Sequence, residues 1–155
     1  MLAERVFGIF GGCTPALLSG AYTHVIREKL LFMATLAGLV ILHTGTTAVH
    51  AMSYALTTQR GMPHGRACGV LLGEFLAYSY PARKEKTDKM LSLLNLGSVD
   101  GFKKMLADLF GEKATYTEED LERFTETTYR SAIPRPNPVK MEREDVLNLF
   151  KKALL

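Results

Sequence analysis

The tripeptide Gly61-Met62-Pro63 limits this chain more than any other feature, because it breaks an otherwise helical pattern between two histidines, His50 and His64, fourteen positions apart. His50 ends a long apolar stretch and is expected on a buried helix. Pro63 is favoured at a helix start, so His64 should open the next helix. A helix running from His50 to about Leu56 climbs ~9 Å at ~1.5 Å per residue. An extended Thr57–Pro63 segment spans up to ~23 Å, enough to bring His64 back beside His50. Two imidazoles converging on one point favour zinc, copper, nickel or ferrous iron. Two histidines do not complete a site, since structural zinc takes four protein ligands and catalytic zinc three.

The rest of the chain reads as helices. Leu2–Phe10 forms a first helix, and Thr14 as N-cap with Pro15 starts a short second one that Gly20 ends. Thr23–Leu42 follows, with Arg27, Glu28 and Lys29 exposed before the helix becomes buried all round. Ala34, Gly38 and Gly45 are small residues that would let neighbouring helices approach closely. His43–Thr47, rich in Gly and Thr, breaks the chain before the His50 helix. From His64 a helix runs to about Tyr78, and Pro81 restarts it through a polar turn. Ser98 caps a helix whose stripe of Phe102, Met105, Leu106, Leu109 and Phe110 has clean helical spacing. Thr117 caps another, with Glu118, Glu119 and Asp120 at its positive end. The Pro-rich connector 133–138 cannot be helical. Val146, Leu149, Phe150, Ala153 and Leu154 form the apolar face of a C-terminal helix over 142–154. The expected fold is an all-α helical bundle, a single domain over residues 1–155.

Three stretches carry a resemblance. Arg27-Glu-Lys-Leu-Leu-Phe-Met-Ala-Thr-Leu-Ala-Gly38, Val49-His-Ala-Met-Ser-Tyr-Ala-Leu-Thr57 and Gly61-Met-Pro-His-Gly-Arg-Ala-Cys68 closely resemble the iron-containing alcohol dehydrogenases. The likeness falls in their C-terminal, all-helical domain, of dehydroquinate synthase-like architecture. In that family the histidines of the His-Ala-Met and Pro-His-Gly segments are two of four metal ligands, which implies that His50 and His64 are ligands here. Tyr54 stands where many members carry a third histidine close to the substrate. It is a candidate for hydrogen bonding a bound alcohol or for packing in the core.

The resemblance implies reversible hydride transfer between an alcohol or aldehyde and NAD(P), with a divalent ion, Fe2+ or alternatively Zn2+, polarising the substrate oxygen. The other two ligands, an aspartate and a histidine one turn apart, precede this region in the family, and Met1–Cys13 contains neither residue type. The glycine-rich NAD(P)-binding domain also lies ahead of it. The expectation is therefore half of a metal site (residues 50–64), no cofactor site, and no catalysis by this chain alone. An N-terminal half, a partner chain or a homo-oligomer would complete it. Two other readings stay open: a non-catalytic, self-associating interaction module, and part of a zinc-dependent glycerol dehydrogenase-like enzyme.

Composition removes several classes. At 155 residues with 47% hydrophobic and 23% charged residues, the chain can bury a real core. A formal charge of +3, spread among acidic residues, leaves no nucleic-acid footprint. The apolar run Leu30–Leu42 is too short for a membrane span and reads as a buried core helix. Cys13 and Cys68 lack a Cys-x-x-Cys partner and read as buried thiols, consistent with a cytoplasmic protein. Gly8, Gly11 and Gly12 resemble a phosphate loop only loosely and read as a flexible helix end. His24 and His43 have no partners at ligand spacing. Glu74 lies ~15 Å along the helix from His64, too far to share an ion.

Overall fold

The computed structural model describes residues 1–110, 115–132 and 137–155, with 131 and 132 described by backbone only. Eight α-helices follow one another among them: α1 (Leu2–Ser19), α2 (His24–Thr44), α3 (Ala48–Arg60), α4 (His64–Ser79), α5 (Lys84–Leu93), α6 (Val99–Phe110), α7 (Glu118–Ala132) and α8 (Arg143–Leu154). A single 3-10 turn, Tyr80–Ala82, separates α4 from α5, and the described residues contain no strand. The all-α expectation holds. The chain divides into two compact units, Met1–Gly45 with Lys84–Leu109, and Thr46–Arg83 with Phe110–Leu155.

In the first unit α1 runs unbroken through Pro15, where two helices were expected. Proline removes one bond to the carbonyl four residues back and crowds it. That residue is Gly11, and Thr14 does not cap a new helix but donates its hydroxyl to the Phe10 carbonyl at 2.9 Å. Gly11 is no flexible end either. A Cβ built there would lie 2.7 Å from the Leu93 carbonyl oxygen and 2.9 Å from Leu94 Cα, so α1 meets the end of α5 through a bare backbone. Gly38, in contrast, has nothing within 4 Å of such a Cβ, and the close approach expected of it is not made.

Helix α2 begins where Thr23 accepts the Ile26 N–H at 3.3 Å and ends at Gly45, whose φ of 69° suits glycine. The expectation of a helix buried all round fails: only Leu36 is buried, while Leu31 and Leu42 are 72% and 78% exposed. Its main neighbour in the unit is α1, and one partner covers one stripe of a helix.

The second unit holds a continuous core. Met52 and Leu56 from α3, Leu71 from α4, Leu121 and Phe124 from α7, and Val146 and Phe150 from α8 are all at least 98% buried. The apolar face read in α8 is buried as expected, and α8 begins at Arg143 with Glu142 as its N-cap. Thr117 caps α7 by accepting the Asp120 N–H at 3.2 Å, and the Asp120 carboxylate accepts the Thr117 N–H at 3.1 Å. That bond above all, with Arg60 and Arg123 beside it, holds the Asp120 carboxyl below its ordinary pKa. Because Arg60 closes α3, the network ties the end of α3 to the start of α7. Residues 133–136 of the Pro-rich connector lie outside the described residues. Asn137, next along, accepts the Ala48 N–H at 2.7 Å and so serves the start of α3.

Candidate metal centre

The site is built on α3 and α4. Helix α3 continues to Arg60 and does not stop near Leu56, so the expected extended Thr57–Pro63 segment is replaced by a three-residue reversal. Gly61 takes φ 65°, its N–H bonds to the Thr57 carbonyl at 3.1 Å, and Met62 bonds back to Leu56 at 3.4 Å. This is the paired closure that a left-handed glycine allows at a helix end. Pro63 stands just before α4, and its carbonyl accepts the Ala67 N–H at 2.9 Å. The two helices then pack side by side.

This hairpin sets His50 on α3 against His64 on α4, with ring centroids 4.6 Å apart and planes at 88°. Tyr54, one turn after His50, completes a triangle. Its ring stacks on His64 at 5.6 Å and 15°, and meets His50 edge-on at 5.1 Å. Tyr54 is 43% exposed, so it lies at the rim and not in the core.

Ser53 organises the pair from below. Its side chain is fully buried, and its hydroxyl donates to the His50 carbonyl at 2.8 Å. With that hydrogen on the carbonyl, the contact of 3.3 Å between Ser53 Oγ and His64 Nδ1 is satisfied by the tautomer in which the imidazole donates. In the neutral ring this puts the hydrogen on Nδ1 and leaves the lone pair on Nε2. Nε2 faces Cys68 Sγ at 3.8 Å. The donor atoms of His50, His64 and Cys68 all lie within 4.8 Å of one another, and each residue is half-buried. Nitrogen and sulfur donors at this separation fit a divalent transition ion.

Two of these residues escaped the reading of the sequence. Cys68 reads from the sequence as a buried thiol but is only half-buried, and its place four residues after His64 puts both on one helix face. Ser53 stands three residues after His50, and only the approach of α4 reveals what it holds. His24 and His43 stay outside: His24 Nδ1 is 3.7 Å from the Glu28 carboxylate, and His43 Nδ1 lies 2.7 Å from the Leu39 carbonyl.

Known proteins agree with this architecture. The sequence model of the Fe-containing alcohol dehydrogenase family, C-terminal part, matches residues 1–154. The iron-containing alcohol dehydrogenase of Thermotoga maritima has a TM-score of 0.84 at 32% identity, over 99% of this chain and 41% of that one. Maleylacetate reductase of Agrobacterium tumefaciens, at 22% identity, shares the fold with a TM-score of 0.83, over 99% of this chain and 45% of that one. Phosphonoacetaldehyde reductase of Streptomyces viridochromogenes is 46% identical over 44 residues, which are 28% of this chain and 11% of that protein. The chain thus spans less than half the length of each of these relatives. A match over nearly every residue, with a family member sharing the helical fold at 32% identity, places it: the chain belongs to the iron-containing alcohol dehydrogenase family, as the C-terminal, all-helical part.

Proposed function

We propose that this domain supplies part of the metal centre of an alcohol or aldehyde oxidoreductase that uses NAD(P), with His50 and His64 as ligands. The observation that carries the reading is the facing pair of imidazoles, 4.6 Å apart on adjacent helices. The ion they would hold, iron(II) or zinc, supplies Lewis-acid polarisation of a substrate oxygen. The residues around them do the positioning. Ser53, in contact with His64 Nδ1, leaves Nε2 as the nitrogen for the ion, as partners behind metal-ligating histidines commonly do. Tyr54, stacked at the rim, limits water access to His64 and offers its phenolic hydroxyl to a small alcohol. NAD(P) and the remaining ligands would come from a separate nucleotide-binding domain, which also makes the whole enzyme's turnover depend on that domain.

The test is direct. Divalent metal is measured in the purified chain and in His50→Ala and His64→Ala, and alcohol oxidation with NAD(P) is assayed with and without an added N-terminal half. Metal retained by the parent chain and lost from both variants, with activity only after addition, is the expected outcome. Metal content indifferent to both histidines would sink the reading. The exposed apolar side chains of α2, Leu31 and Leu42 among them, favour a second reading, a self-associating module without catalysis. Sedimentation of the purified chain decides this, since a monomer at all concentrations removes it.

A further inference from the structure

Cys68 is the residue of this region for which the two-histidine reading has no use. It lies one turn after His64 on α4, half-buried, with its sulfur 3.8 Å from His64 Nε2. Two ligands of one tetrahedral zinc, with bonds of ~2.1 Å to nitrogen and ~2.3 Å to sulfur, stand ~3.6 Å apart. The observed distance is therefore already close to that set by a shared ion. It is also one a thiol hydrogen can occupy, as a weak S–H···N bond to the lone pair that Ser53 leaves on Nε2.

A helical cysteine one turn from a histidine occurs in ordinary packing too. What sets this one apart is convergence from a second helix, because His50 on α3 brings its own donor within 4.8 Å of both. Side-chain rotation alone closes the remaining gap, since the backbone is fixed by the Gly61 reversal and by burial of Ala48, Ala51 and Met52 on α3 and of Ala67 and Leu71 on α4. Cys13 has no such setting and is buried in the other unit.

We propose that Cys68 is a third ligand, and that His50, His64 and Cys68 together bind zinc or cobalt(II) as a two-nitrogen, one-sulfur set with an open fourth position. The proposal rests on the reading above that the two imidazoles share an ion, and adds the sulfur to it. On binding, the thiol hydrogen leaves to solvent and a metal–sulfur bond replaces it, with no change of oxidation state. A thiolate in the set selects zinc, cobalt or cadmium over magnesium and manganese, which prefer oxygen. It also gives this domain an affinity of its own for the ion, before the remaining ligands of the separate domain join it.

Cobalt(II) titrated into the intact chain tests this, because sulfur coordination produces a near-ultraviolet charge-transfer band that nitrogen coordination does not. The expected result is a band that saturates with the visible cobalt spectrum, persists in Cys13→Ser and is lost in Cys68→Ser. Zinc affinity should fall at least ~10-fold in Cys68→Ser, the effect that even an outer-shell change reaches. A measurement needing no variant is alkylation of Cys68 by iodoacetamide, read by mass spectrometry, which zinc should slow. Cobalt bound through His50 and His64 with no charge-transfer band, or alkylation indifferent to zinc, overturns the sulfur ligand and leaves the two-histidine reading standing. A chain that takes up neither cobalt nor zinc overturns both.

Discussion

Helices α2 and α3 follow one another in sequence and make opposite use of their apolar residues. Helix α2 is the richer in Leu, Ile and Val, yet buries only Leu36 and leaves Leu31, Leu39, Ile41 and Leu42 exposed. Helix α3 carries Ser, Thr, Gln and Arg among its residues, yet buries seven positions, Ser53 included. The difference lies in the number of partners. Helix α3 packs against both α4 and α7, whereas α2 packs chiefly against α1. Burial follows the neighbours a helix is given, not its hydropathy, and the candidate site sits on the helix held from two sides. A ligand pair kept within a few ångströms needs that kind of support.

The comparison breaks most easily with leucine truncation. Leu56→Ala on α3 removes a fully buried side chain and should cost about 2–5 kcal/mol in urea unfolding. Leu42→Ala on α2, at 78% exposure, should stay within about 0.5 kcal/mol. Equal effects would show that α2 is covered in solution. Glycine gives the next contrast, inside the first unit. Gly11→Ala places a methyl against the Leu93–Leu94 backbone and should destabilise by about 1–3 kcal/mol. Gly38→Ala adds a methyl in open space and should stabilise by about 0.5–1 kcal/mol.

Ser53→Ala sharpens the comparison at the site itself. It leaves packing nearly unchanged but releases His64 Nδ1, so zinc affinity should fall ~10–100-fold with little change in thermal midpoint. The mildest test uses pH. The Asp120 carboxyl is held below the ordinary aspartate value of 3.8, so its stabilising share is full above that pH and is lost as pH falls through the depressed value. Asp120→Asn should therefore be less stable at neutral pH and show a shallower loss of stability on acidification. An acid limb identical to the parent's would place the latch between α3 and α7 elsewhere.

Local physics made much of the fold legible. Gly20, Ser98 and Thr117 end or start helices where glycine freedom and hydroxyl capping say they should. The faces of α6 and α8 follow from spacing alone, with Phe102, Met105 and Leu106 buried on one and Val146, Leu149 and Phe150 on the other. Non-local contacts decided the rest. Pro15 promised a helix start, yet α1 continued because Gly11 sits one turn before it and packs on α5. Leu30–Leu42 read as buried because hydropathy cannot count neighbours, and no helix among the described residues is long and apolar enough to cross a membrane. At the site, spacing and resemblance brought His50 and His64 together. Cys68 and Ser53 stayed hidden because each matters only through a residue on the facing helix.

The three-residue reversal at Gly61 also bears on the order of folding events. All three donors lie between His50 and Cys68, so their meeting closes only a short stretch of chain. The helices that pack on α3 and α4, α7 with Phe124 and α8 with Phe150 in the shared core, arrive much later in synthesis. An ion taken up early would clasp α3 to α4 before that bracing exists, and zinc present from the start should then quicken refolding as well as slow unfolding.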